Sequence, residues 1–127
     1  MSKYNRERYI LSESPLKRHL LKLFKKNDKI IIFDIGGCEG EDSIRYSIIF
    51  PSSQIFVFEP LPNNQKLIVE NIDKYKASNI KLIPSAVSDL DGFLEFHVSS
   101  GDPEHESDKL DWDFGNKSSS LLPPEKL

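Results

Sequence analysis

The sequence is poor in the residues that build disulfides and metal centres: it has one cysteine, Cys38, and three scattered histidines, His19, His97 and His105. A single thiol cannot form an internal disulfide, and no cysteine cluster exists to hold zinc. That agrees with a reducing compartment. Long apolar runs are also absent. None approaches the roughly 20 residues needed to span a bilayer, and the opening MSKYNRERYI lacks the apolar core of a secretion signal. No membrane span is expected, and a cytoplasmic address is. What is present suits a soluble domain or part of a larger one: 127 residues, 38% hydrophobic and 29% charged.

The net charge of −3 hides an asymmetry. Residues 1–29 hold nine Lys and Arg against three acids, a balance of +6, and the rest of the chain carries −9. The bases of the lead segment are spread around a helical pattern without interleaved aromatics that would stack on nucleotides, so a solvated helix face is expected and no nucleic-acid partner.

The chain divides by pattern into an arm and amphipathic helix (1–28), an α/β core (29–100) and an acidic loop with a tail (101–127). Residues 1–13 show no period and read as a loose arm. Ser14 offers an N-cap and Pro15 a first helical position for a helix running to about Lys26, with Leu16, Leu20, Leu21, Leu23 and Phe24 as its packing face. KIIIFDI (29–35), continuously apolar and largely β-branched from Ile30 until Asp34, is expected as a strand covered on both faces. EDSIRYSIIF (41–50) is helical, QIFVFE (54–59) a second strand, the stretch after Pro62 a second helix of the core, and NIKLIPSAV (79–87) a third strand. This alternation is that of a parallel sheet flanked by helices. An Asp-Gly turn in SDLDG (88–92) leads to FLEFHV (93–98), expected as a half-exposed antiparallel strand joined to the third by a hairpin.

Three glycines crowd the end of the first strand in DIGGCEG (34–40). In an open parallel sheet, ligands sit beyond the carboxyl ends of the strands, where glycine lets the backbone approach closely. The helix that follows aims free N–H groups at a negative ligand group. The dinucleotide fingerprint GxGxxG is not matched, because the middle glycine is displaced, and no GK[ST] follows to make a P-loop. The spacing is DxGxxxG, from Asp34 through Gly36 to Gly40. Glu59 ends the second strand 25 residues after Asp34, where a carboxylate accepts hydrogen bonds from ribose hydroxyls. A nucleoside-containing cofactor is expected; a tight structural turn with a solvated strand end is the plainer alternative.

FDIGGCEGEDS, VFEPLPNN, ENI, AVSDLDG and FLEFHV together resemble the FkbM-type methyltransferases, class I enzymes that use S-adenosylmethionine, from about residue 25 to SSSLL at 118–122. The resemblance implies a Rossmann-like sheet with strand order 3-2-1 in this chain. It also implies that Asp34, Gly36, Gly37 and Gly40 surround the methionine part of the cofactor and that Glu59 takes the ribose, while the place of Cys38 in the turn favours a cofactor contact. Ser85 and Ala86 would lie near adenine, and Ser43 would reach the methionine carboxylate. Cys38 stands where the family has an asparagine. The implied chemistry is methyl transfer to a hydroxyl of a small molecule or sugar, in which alignment is the protein's main task. The second half of the family's sheet is expected to be missing, leaving the first strand an edge and no catalytic residue to name.

Three explanations stay open: a truncated or interrupted methyltransferase, one half of an enzyme completed by a second chain, or a non-catalytic cofactor-binding or interaction module. A fragment of an NAD-dependent oxidoreductase is the alternative enzyme. No metal site is expected. His97 reads as a surface residue, and the acids between 102 and 113 read as a solvated loop without EF-hand spacing. Trp112 is expected to pack on the core or, alternatively, to cap the cofactor or acceptor.

Overall fold

The computed structural model describes residues 5–99 and 119–121. Trp112, His105 and the acidic run at 102–113 therefore lie outside the described residues. The described residues fall into two units, one of residues 7–87 and one with residues 5–6, 88–99 and 119–121.

The larger unit carries the fold. Three parallel strands, β1 (Ile31–Ile35), β2 (Gln54–Phe58) and β3 (Ile80–Ile83), form a sheet in the order β1-β2-β3. Ile32 pairs with Ile55 and Asp34 with Val57, while Val57 pairs with Leu82 on its other side. Helices α3 (Glu41–Ile49) and α4 (Pro62–Lys74) make the crossovers. Pro62 opens α4 at a position where its missing N–H costs nothing. Alternate strand residues meet the helices, giving a core of Ile44, Ile55, Val57, Ile68, Ala77 and Ile80. Asn79 ties the far end together: its side-chain nitrogen donates to the Ser53 carbonyl at 3.1 Å, and its oxygen accepts from the Ser47 hydroxyl at 2.6 Å.

Among the described residues, cover on both faces is not observed. Ile31, Phe33 and Ile35 point away from the helices and remain 60%, 62% and 62% exposed. Their face of the sheet continues through Phe56, stacked on Phe33 with ring centroids 5.7 Å apart, and Phe58 at 6.1 Å. β1 is also an edge of the described sheet.

The lead segment differs from its expectation. A short helix, α1 (Arg6–Leu11), forms where a loose arm is expected. One residue explains it: Ile10 is 1% exposed and joins the core cluster, an anchor too isolated to create a sequence period. Tyr9 adds a hydrogen bond, its hydroxyl donating to Asp42 Oδ1 at 2.8 Å. Burial, followed by that bond, pushes the Tyr9 phenol up to about 12, so it stays a donor. Helix α2 spans only Lys17–Leu23, and none of its residues is fully buried, so the expected face packs only in part, through half-buried Leu20 and through Phe24 just after the helix, whose ring meets Phe50 edge-on at 6.3 Å. Ser14 sits before the helix, its hydroxyl accepting the Leu16 N–H at 3.3 Å.

The third strand stops at Ile83 because Pro84 follows and brings no N–H to the ladder. In the smaller unit, residues 93–98 do not form the expected antiparallel strand. Their described pairing is one antiparallel bridge between His97 and Ser120, with backbone bonds of 2.8 and 3.0 Å. Alternation becomes a strand only beside a ladder partner, and one bridge does not supply it. No helix among the described residues is long and apolar enough to cross a membrane.

Candidate functional site

The glycine turn leaves β1 and is pinned to the end of β2. The Gly36 and Gly37 amides both donate to the Phe58 carbonyl, at 2.9 and 3.0 Å, and Gly40 N–H closes the turn on the Gly37 carbonyl at 2.7 Å. The glycines do different work. Gly36 has φ +76°, and a Cβ placed on it would meet nothing within 4 Å: it faces open space. Gly37 is buried, and a Cβ there would fall on the Val57 side chain. Gly40, at φ +80°, is the left-handed residue that launches α3 against Ile68. Cys38 also holds positive φ, at 49°, without being a glycine.

Glu59 braces this turn. Its Oε2 accepts the Cys38 N–H at 2.9 Å, its Oε1 accepts the Leu61 N–H at 2.9 Å, and its carbonyl accepts from the Gln65 amide at 2.9 Å. The residue is 4% exposed, and burial raises its carboxyl above the ordinary value despite the hydrogen bonds from Leu61, Asn64 and Cys38. A carboxylate offers about four acceptor positions, so those three bonds leave capacity for a hydroxyl.

Asp34 closes β1 at the same end of the sheet, half-buried. Its Oδ2 accepts the Ser43 hydroxyl at 2.6 Å, and burial raises its carboxyl although that bond opposes the shift. Ser43 itself is fully buried. Its hydroxyl is spent on Asp34, so the expected reach to a ligand carboxylate is not what this geometry provides. Ser85 and Ala86 lie exposed just past β3, with the Ser85 N–H turned onto the Ile83 carbonyl at 2.8 Å. The structure thus gathers Asp34, Gly36, Cys38 and Glu59 at the carboxyl ends of adjacent strands, with Gly37, Gly40 and Ser43 as buried supports.

Three supports were not singled out from sequence. Asn71, in the ENI motif of α4, donates to the Glu39 carbonyl at 2.8 Å and so holds the turn from behind. Glu39 and Glu41 are both buried in or beside the turn, and Glu41 Oε2 accepts the Glu39 N–H at 3.1 Å. The ENI motif was the available signal for Asn71; nothing in the spacing announces the two glutamates as buried.

No family model matches the chain. A curated relative, the 2-O-methyltransferase NoeI of Sinorhizobium fredii, is 33% identical over 102 residues, covering 80% of this chain and 39% of NoeI. The chain therefore spans about two fifths of the length of that relative. Among solved structures, precorrin-6y C5,15-methyltransferase of Geobacter metallireducens matches at TM-score 0.48 and 25% identity, over 60% of this chain and 40% of that one. Methyltransferase FkbM of Methylobacillus flagellatus matches at TM-score 0.44 and 21% identity, over 65% and 24%. In sequence the chain is thus similar to part of a 2-O-methyltransferase, and its motifs resemble those of the FkbM type.

Proposed function

We propose that the glycine turn and Glu59 form a binding site for S-adenosylmethionine, used for transfer of a methyl group to a hydroxyl oxygen of a small molecule or sugar. One observation carries the reading: a backbone turn with open space over Gly36 is hydrogen-bonded through Cys38 to the acid that ends the neighbouring strand. A larger residue at Gly36 would fill the space, while Glu59 retains acceptor capacity for ribose. The residues present fit the cofactor.

When bound, S-adenosylmethionine supplies a methyl group activated on a sulfonium. The chain's own residues bind and orient. Gly36 and Cys38 bring bare backbone to the methionine portion, Glu59 accepts from the ribose, and Ser85 and Ala86 border the adenine. Asp34 lies at the methionine end, and Ser43 acts through it by fixing its carboxylate with the 2.6 Å hydrogen bond. No residue is assigned as the base that takes the acceptor's proton. A cytoplasmic address belongs to the same proposal and rests on the lone Cys38.

The bare face of β1 supports a further part of the reading. Ile31, Phe33 and Ile35 are apolar and exposed beside an edge of the described sheet, so additional polypeptide, from a longer chain or from a second chain, completes the sheet and brings the acceptor pocket. Without it the chain acts as a cofactor-binding module.

Calorimetric titration of the chain with S-adenosylmethionine and, separately, NAD tests the site. Binding of S-adenosylmethionine that weakens in Glu59→Gln, with no binding of NAD, is expected. Preference for NAD would move the chain to the oxidoreductase reading, and a folded chain that binds neither would remove the cofactor proposal.

A further inference from the structure

Away from the glycine turn, a cavity of about 420 Å³ lies among α1, the turn after it, α2 and α3. That is within the roughly 300–1,000 Å³ common for small-molecule sites. Its apolar wall is Ile10, Leu11, Leu21, Ile48 and Ile49. Ile10 and Ile49 are buried, but Leu11, Leu21 and Ile48 are 63%, 41% and 54% exposed, so α2 leaves apolar surface facing an open space instead of packing on it.

The polar lining has a sign. Lys17, Lys26 and Arg45 contribute three cations and Glu13 one carboxylate, which Lys17 meets at 3.6 Å. Arg45 is the informative member. Its side chain is only 6% exposed, its Nη1 is 3.4 Å from Asp42 Oδ1, and its guanidinium lies 4.2 Å from the centre of the Tyr9 ring. The Asp42 oxygen already accepts from Tyr9 at 2.8 Å. Arg45 Nε–H has no acceptor among the described residues. A buried guanidinium N–H without an acceptor is uncommon, because its lost hydration goes uncompensated. Arg45 lines the cavity as well, and its charge together with the +6 balance of residues 1–29 favours an anion there.

We propose that this cavity binds a small single-chain aliphatic carboxylate, its head held by Arg45 and Lys26 and its chain laid along Leu11, Leu21 and Ile48. Guanidinium and carboxylate form charge-assisted hydrogen bonds, and the chain covers aliphatic surface otherwise left wet. The site is separate from the glycine turn and does not depend on the cofactor reading.

The test is calorimetric titration of the full chain with decanoate, decanol and decyltrimethylammonium, each below its micelle concentration. Decanoate is expected to bind at least about tenfold more tightly than decanol, and the cation not at all. Leu21→Glu and Ile48→Glu alter exposed positions, so each should keep the far-UV circular dichroism of the parent while weakening decanoate about tenfold or more. Lys26→Gln should weaken decanoate and leave decanol unchanged. Equal binding of decanoate and decanol, or no binding of decanoate, would overturn the proposal. So would capture by anionic phosphatidylglycerol vesicles without binding of free decanoate, which would assign the patch to a membrane surface.

Discussion

The two faces of the sheet come from the same strands and have opposite fates. On one, Ile55 and Val57 are 0% exposed beneath α3 and α4; on the other, Phe33 and Ile35, neighbours of Asp34 in the chain, are each 62% exposed. A run such as IIIFDI is written for burial on both sides. Burial itself is supplied by other elements, and the described helices supply it once. The fold that stands here is therefore held from the helical side, and the site at the strand ends is built from the same side: Val57 demands glycine at position 37, and Asn71 of α4 holds the turn.

Substitutions should divide along this line. The largest effect is expected for Ile55→Ala, which empties a fully buried position and should cost about 2–5 kcal/mol in a denaturant titration. Next comes Gly37→Ala, whose methyl falls on Val57 and should cost about 1–3 kcal/mol through overpacking. Gly36→Ala separates stability from binding. Its methyl meets open space, so only the left-handed backbone opposes it, about 1–2 kcal/mol, yet the methyl occupies the ground a cofactor needs. Titration with S-adenosylmethionine should show a larger loss for Gly36→Ala than its stability change explains.

Acidity sharpens the contrast within the site. Burial is the main cause that raises the carboxyls of Asp34 and Glu59 above their ordinary values of 3.8 and 4.5. A carboxyl raised in the folded state binds more protons folded than unfolded, so its contribution to stability is fullest below its ordinary value. That contribution declines as pH rises through the window up to the raised value, then levels off. Glu59→Gln should flatten part of this decline when unfolding midpoints are followed against pH, although it also leaves one of the Cys38 and Leu61 amides poorly paired. The smallest change in stability is expected for Phe33→Ser on the bare face, less than about 1.5 kcal/mol from its loss of stacking on Phe56. Its visible consequence should be reduced self-association in sedimentation, because the apolar edge is broken. A large loss of stability from Phe33→Ser would mean that this face is covered after all.

Much of the core was legible. Apolar runs broken by glycine and proline mark β1, β2 and β3, and DIGGCEG followed by Glu59 places the turn beside the acidic strand end. What escaped the pattern depends on partners distant in sequence. Ile10 docks α1 without any period around it, while among the well-patterned leucines of α2 only Leu20 is even half-buried by the described residues and Leu21 and Leu23 stay exposed. FLEFHV alternates as a strand should, but alternation states which way side chains face and not whether a neighbour is there to pair. The glycines look alike in sequence, yet Gly37 answers to Val57 and Gly36 to open space. The resemblance implies that Ser43 reaches a ligand carboxylate, and its full burial against Asp34 depends on α3 lying over β1.

Hydrogen–deuterium exchange of the chain with and without S-adenosylmethionine tests the central claim most directly, since it reads binding and position together. The account predicts slower exchange at residues 36–40 and 59–61 on binding, with NAD producing no such change and Gly36→Ala abolishing it. Unchanged exchange in both segments at saturating S-adenosylmethionine, or protection confined to other parts of the chain, would contradict it.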